Sequence, residues 1–145
     1  NLNKIGCAAS PAQFALVDGR IKNGRHYVLI SAEAMGNCNV CGRCGASESV
    51  SLIWLELDAR LRVIARKSVA VEHCADNISL MTSGYDPGDN SDRMFEWKFD
   101  GNILKAEYET TVYGDENADL EISVLEYDRL APEKGFAIKT EKRKR

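Results

Sequence analysis

Alternation of apolar and polar residues with a period of two is the feature that most constrains this chain. Successive side chains of a strand point to opposite faces, so this period predicts half-buried strands. The clearest example is the segment 104–112, where Leu, Ala, Tyr, Thr and Val alternate with Lys, Glu and Thr. No window sustains a period of 3.6 residues, so the sequence predicts a fold without long helices.

Turn signals separate the alternating segments. Asn23-Gly24 lies between two apolar stretches and is the strongest short-range hairpin signal. Asp100-Gly101-Asn102 lies between two alternating segments in the same way. Eight or nine short strands joined by local turns predict an all-β antiparallel meander, folded as a sandwich or a small barrel.

One predicted strand, 50–57, is apolar on both of its faces. Ile53, Leu55 and Leu57 share one face, whereas Leu52 and Trp54 lie on the other. We therefore expect both faces of this strand to be covered.

The length of 145 residues suits one domain of ordinary size. We predict a single β domain over 1–145, with the basic stretch 139–145 as a flexible tail. The longest apolar run has four residues, which is too short to span a membrane. The net charge of -3 gives no reason to expect a nucleic-acid partner.

The cysteines admit two main interpretations. The first is a disulfide framework, in which Cys44 precedes a strand and Cys74 follows the next hairpin, so that both lie near one end of adjacent strands. Cys7 would then pair with Cys38 or Cys41, leaving one free thiol because five is odd.

The second interpretation is a zinc-binding module of the cytosol, with zinc as its cofactor. Cys38, Cys41 and Cys44 have two residues between neighbours, which lets their thiolates reach one ion, and Cys74 would be the fourth ligand. Redox catalysis by the same cysteines is disfavoured, because no predicted helix follows them to lower a thiol pKa. We favour the disulfide framework without a cofactor.

The beginning of the chain bears on the compartment. The chain opens on Asn1, without an initiator Met and without a charged-then-apolar leader. Together with five cysteines, this suggests a mature chain in an oxidising compartment. We therefore expect a periplasmic or secreted protein.

The second half of the chain is acidic. Residues 76–138 hold fifteen Asp or Glu and five Lys or Arg. Asp86, Asp89 and Asp92 lie in its longest polar loop and are candidate contacts to a basic protein partner. Calcium binding by the same loop is an alternative, although these residues are also ordinary turn formers.

Few residues suggest catalysis. The chain has two histidines, His26 and His73, and it lacks a Gly-x-Ser-x-Gly motif. His73 and Cys74 are adjacent, so on a regular strand their side chains point to opposite faces. An enzyme with a carboxylate-lined cleft stays open but is not favoured. The sequence favours a non-catalytic exported β domain that binds a protein partner, as an inhibitor or immunity protein would, with its oligomeric state open.

Overall fold

The computed structural model describes residues 12–35, 48–81, 97–111 and 119–143. Within these ranges the chain forms strands and two short 3-10 turns, Cys74–Asp76 and Pro132–Lys134. The strands are β1 (Gln13–Lys22), β2 (Arg25–Met35), β3 (Glu48–Leu57), β4 (Val63–Glu72), β5 (Ile78–Leu80), β6 (Phe99–Asp100), β7 (Ile103–Thr111), β8 (Leu120–Asp128) and β9 (Phe136–Arg143).

The strands form two antiparallel sheets. Sheet A has the order β1-β2-β3-β4, and sheet B has the order β5-β7-β8-β9 with β6 paired to β7. The two sheets form a sandwich rather than a closed barrel, which confirms the all-β prediction and decides between its two alternatives. Neighbours in each sheet are mostly consecutive in the chain because short turns return the chain beside itself.

The predicted hairpin turns are present. Asn23 and Gly24 separate β1 from β2 and have φ angles of 51° and 72°. Two successive positive φ angles match the twist of the flanking strands, which explains why Asn-Gly is favoured there. Gly101 has a φ of 58° between β6 and β7.

The core lies between the sheets and takes side chains from both. Alternate residues of β2, β3, β7 and β8 point inward, as the period of two predicts. Trp54, at 3% exposed, belongs to this core. The buried core comprises Tyr27, Leu29, Val50, Leu52, Trp54, Val71, Leu104, Ala106, Tyr108, Leu125, Tyr127 and Phe136.

A β-bulge in β1 changes which side chains point inward. Leu16 pairs with Ile30, but Asp18 pairs with Leu29, so Val17 is the extra residue. Because a bulge shifts the alternation by one residue, Asp18 points into the sandwich instead of sharing the face of Leu16. Asp18 is accordingly 7% exposed.

The last strand corrects the predicted tail. Residues 139–143 are not a flexible extension but the second half of β9, which pairs along β8 from Phe136 to Arg143. Lys142 Nζ lies 3.3 Å from Glu121 Oε1 on β8. The basic residues of this segment are thus solvent-facing or paired positions of an edge strand, where lysine is common.

Candidate protein-binding surface

Most of the residues predicted from the sequence to form a site lie outside the described ranges. Cys74 is the exception and begins the 3-10 turn after β4. The predicted residues outside the described ranges are Cys7, Cys38, Cys41, Cys44, Asp86, Asp89 and Asp92.

Cys74 is half-buried. It is the one cysteine among the described residues, so no disulfide joins two of them. Its predicted pairing with Cys44 therefore stays a prediction.

Two side chains close to Cys74 in the chain lie near each other. His73 Nδ1 lies 2.9 Å from Asp76 Oδ2 within the same turn. No group of three His, Cys, Asp or Glu side chains in the described ranges is placed to hold a metal ion. The same ranges contain no helix with the length and apolarity needed to cross a membrane.

The outward-facing side of sheet A is mainly apolar on β1, β2 and β3 and mixed on β4. Direct cross-strand partners share a face, so one row runs through Leu16, Ile30, Ile53 and Ser68. We call this side the apolar face. Its apolar members are Phe14, Leu16, Ile21, Val28, Ile30, Ala32, Ala34, Ile53, Leu55, Leu57, Val63 and Ala70.

The rim of the apolar face is well exposed. Phe14 and Leu16 on β1 are 64% and 70% exposed, and Ile21 on the same strand is 72% exposed. Ile53 and Leu55, nearer the centre, are half-buried because neighbouring side chains cover them in part. Contiguous exposed apolar patches on soluble proteins mark interaction sites, whereas single exposed apolar residues are ordinary.

The apolar face carries little charge. Its polar members are mostly serines, together with His26 at the end of β2. Arg66 on β4 is the one residue with a permanent charge among the described residues of this face. Depletion of charge is typical of the central part of protein interfaces.

The opposite outer surface, on sheet B, provides the contrast. Ile122 and Val124 form the floor of a shallow hollow of about 260 Å³. Its walls are the charged side chains of Lys105, Glu107, Glu126, Lys139, Glu141 and Arg143. Lys105 Nζ lies 3.8 Å from Glu126 Oε1 across two exposed side chains. This surface has the charged outward positions of a solvated antiparallel sheet, and the apolar face does not.

A buried carboxylate anchors β1, the strand with the most exposed apolar side chains. The Tyr127 hydroxyl donates a hydrogen bond of 2.9 Å to Asp18 Oδ2, and Arg20 Nε lies 3.1 and 3.2 Å from the two carboxylate oxygens. Arg129 Nε lies 3.9 Å from Asp18 Oδ1, and its guanidinium carbon lies 3.6 Å from the centre of the Phe99 ring. Burial, and then the bond to Asp18, raise the pKa of Tyr127 above its ordinary value. Because Tyr127 belongs to β8, this cluster ties the edge of sheet A to sheet B.

A second set of contacts holds the other half of sheet A. Trp54 Nε1 donates a hydrogen bond of 2.9 Å to the carbonyl oxygen of Pro132. Lys67 Nζ donates one of 3.0 Å to the carbonyl oxygen of Lys134 and lies 5.5 Å from the Trp54 ring centre. Gly135 packs beneath these side chains, where an added Cβ would lie 3.2 Å from Lys67 Nζ. Since β1, β3 and β4 are all tied to sheet B, the apolar face is presented on a braced sheet.

The apolar face was not predicted as a binding site from the sequence. The signal for it was present in β3, whose Ile53 and Leu55 alternate with the equally apolar Leu52 and Trp54. Comparisons of the chain with protein-family models, with curated proteins and with solved structures find no match.

Proposed function

We propose that this chain is a non-catalytic β-sandwich that binds a protein partner, and that the apolar face is its docking surface. The observation that carries the proposal is the continuity of this face across β1, β2 and β3, with Phe14 and Leu16 more than half exposed. The sheet is braced from behind by the Asp18 and Trp54 contacts. A docking surface held in place before binding loses less conformational freedom on association.

The exposed rim alone offers a useful share of binding free energy. Burial of a large apolar side chain contributes about 2 kcal/mol relative to leaving it exposed. Phe14, Leu16 and Ile21 are the most exposed members of the apolar face. A partner that covers them and the half-buried centre offsets part of the cost of association, which is at least about 4 kcal/mol.

An exported location and a disulfide framework belong to the same proposal. Their support is the number and spacing of the five cysteines, which suit an oxidising compartment. The cytosolic zinc module, with Cys38, Cys41, Cys44 and Cys74 as ligands, stays the alternative. Cys44 stays the proposed partner of Cys74, and Asp86, Asp89 and Asp92 stay proposed contacts to a basic region of the bound protein.

Thiol counting tests the cysteine chemistry. The purified chain is alkylated under denaturing conditions before reduction, its mass is measured, and the native sample is assayed for zinc. The proposal expects one alkylated thiol and no zinc. Five alkylated thiols with one equivalent of zinc would favour the zinc module instead.

Affinity capture with matched variants tests the docking surface. Leu16→Lys places a charge on the apolar face at a residue that is 70% exposed, so the fold tolerates it. Ile103→Lys makes the same change on the charged side of sheet B, where Ile103 is 38% exposed. A partner retained by the wild type and by Ile103→Lys, and lost by Leu16→Lys, would support the proposal. Equal retention by all three proteins would contradict it.

A further inference from the structure

The partner that best fits the apolar face is another copy of the same face. We infer that this chain forms a two-fold symmetric dimer in which sheet A of one copy stacks on sheet A of the other. The inference rests on the proposed docking role of the apolar face. Three properties of that face support it: its composition, its size and its charge.

The composition of β3 is that of a strand covered on both sides. Leu52 and Trp54 fill the core of the sandwich, and Ile53 and Leu55 point outward from the same strand. Antiparallel strands with one solvated face alternate between apolar and polar residues, whereas strands covered on both faces are apolar throughout. Stacking of a second sheet at about 10 Å would cover the outward side chains of β3 as the first sheet covers the inward ones.

The size of the face matches what a stable dimer requires. Four strands about 4.8 Å apart, each of ten residues at about 3.4 Å, give a projected area of roughly 650 Å². Strands β1, β3 and β4 each have ten residues. Stable interfaces bury about 600–1,000 Å² on each partner, and the area of this face lies within that range.

The charge of the face permits self-association. The chain has a net charge of -3, so two copies repel each other where acidic surfaces meet. The apolar face has no acidic residue among its described positions, and its permanent charge is confined to Arg66 on the outer strand β4. A two-fold axis along the strands would place β4 of each copy over β1 of the other, so the two arginines would lie at opposite rims. A same-face dimer must be self-complementary, and a neutral patch meets that condition without paired charges.

Analytical ultracentrifugation of the purified chain tests this inference over a wide range of concentrations. We expect the wild type and Ile103→Lys to sediment as a dimer. Leu16→Lys and Phe14→Lys each place two charges in the interface, one from each copy, and should weaken the dimer roughly 100-fold. Circular dichroism and urea unfolding establish that each variant is folded, and a denaturing gel without reductant establishes that no intermolecular disulfide links the copies.

The outcomes separate this inference from the proposed function. A wild-type chain that stays monomeric throughout would overturn the dimer while leaving the docking role to the capture experiment. A dimer that Leu16→Lys and Phe14→Lys leave unchanged would also overturn it, because the copies would then meet through another surface. A monomeric wild type that captures a different protein through Leu16 would assign the apolar face to that protein instead.

Discussion

The hydrogen bond between Tyr127 and Asp18 provides a sharp test of how β1 is held. Tyr127→Phe removes the hydroxyl that donates a hydrogen bond of 2.9 Å to the Asp18 carboxylate, and it leaves the ring in place. Both residues are buried, with Tyr127 at 0% and Asp18 at 7% exposure. A hydrogen bond to a charged group contributes about 2 kcal/mol, so we expect the free energy of unfolding to fall by that amount. For a chain of this size this lowers Tm by roughly 6 °C.

Tyr108→Phe is the matched control. Tyr108 lies in the same sheet at 6% exposure, and its direct partner on β8 is the neutral Ser123 rather than a charged residue. Removal of a hydroxyl from neutral surroundings costs about 1 kcal/mol. We therefore expect Tyr127→Phe to destabilise the protein more than Tyr108→Phe does.

Urea unfolding followed by tryptophan fluorescence measures both variants. Asp18→Asn, alone and combined with Tyr127→Phe, completes a double-mutant cycle. We expect a coupling free energy of about 1–3 kcal/mol between the two residues, since they share one buried contact. A cost for Tyr127→Phe no larger than that of Tyr108→Phe, or strictly additive effects in the cycle, would refute the proposed anchoring of β1.

Three further predictions concern stability. The pKa of Tyr127 is raised above its ordinary value of 10.0. The contribution of its neutral hydroxyl to the free energy of unfolding is therefore fully present below pH 10 and is lost as the pH rises further. The wild type should therefore lose more stability than Tyr127→Phe between neutral and strongly alkaline pH. Equal losses of stability in the two proteins would contradict this prediction. Gly135 has a φ of 64° and a ψ of -153°, a region that side chains avoid, so Gly135→Ala should lower the unfolding free energy by about 2 kcal/mol. Gly24→Ala, in an open turn, should lower the unfolding free energy by about 1 kcal/mol. An equal loss at both glycines would argue against crowding at Gly135. Leu52→Ala should lower the unfolding free energy by about 3 kcal/mol because Leu52 is fully buried. Ile53→Ala on the apolar face should lower it clearly less in the monomer. Urea unfolding at low protein concentration compares the two variants.

Much of the fold could be predicted from the alternation of residues and from the turns. The segment 104–111 shows its buried face directly, because Leu104, Ala106 and Tyr108 are all core residues. The Asn23-Gly24 turn fixes the register of the first hairpin. These features are local, so a single sequence carries them.

The features that depend on pairing between strands could not be predicted. The bulge at Val17 exists only relative to β2, and it alone turns Asp18 toward Tyr127. In β8 the alternation of Leu120, Ile122 and Val124 suggests the inward side, but Leu125 and Tyr127 on the opposite side belong to the core. Their side chains point inward because of the register between β8 and β7, and the alternation of residues within one strand does not reveal that register.

The candidate site was predicted least well. The sequence drew attention to cysteines and aspartates because these residue types carry recognisable chemistry, and of these Cys74 alone lies within the described residues. The apolar face instead consists of residues that are common in any β-sheet core. Its meaning depends on the absence of a covering layer among the described strands, a property of the folded chain rather than of a motif.

Site-specific photo-crosslinking tests the docking role of the apolar face most directly. A photoreactive amino acid is placed at Leu16 in one protein and at Ile103 in another, and each is irradiated in an extract of cells that produce the chain. The account predicts one defined protein adduct at Leu16, either a second copy or another protein identified by its mass, and none at Ile103. Adducts at Ile103 alone, or the same adducts at both positions, would contradict it.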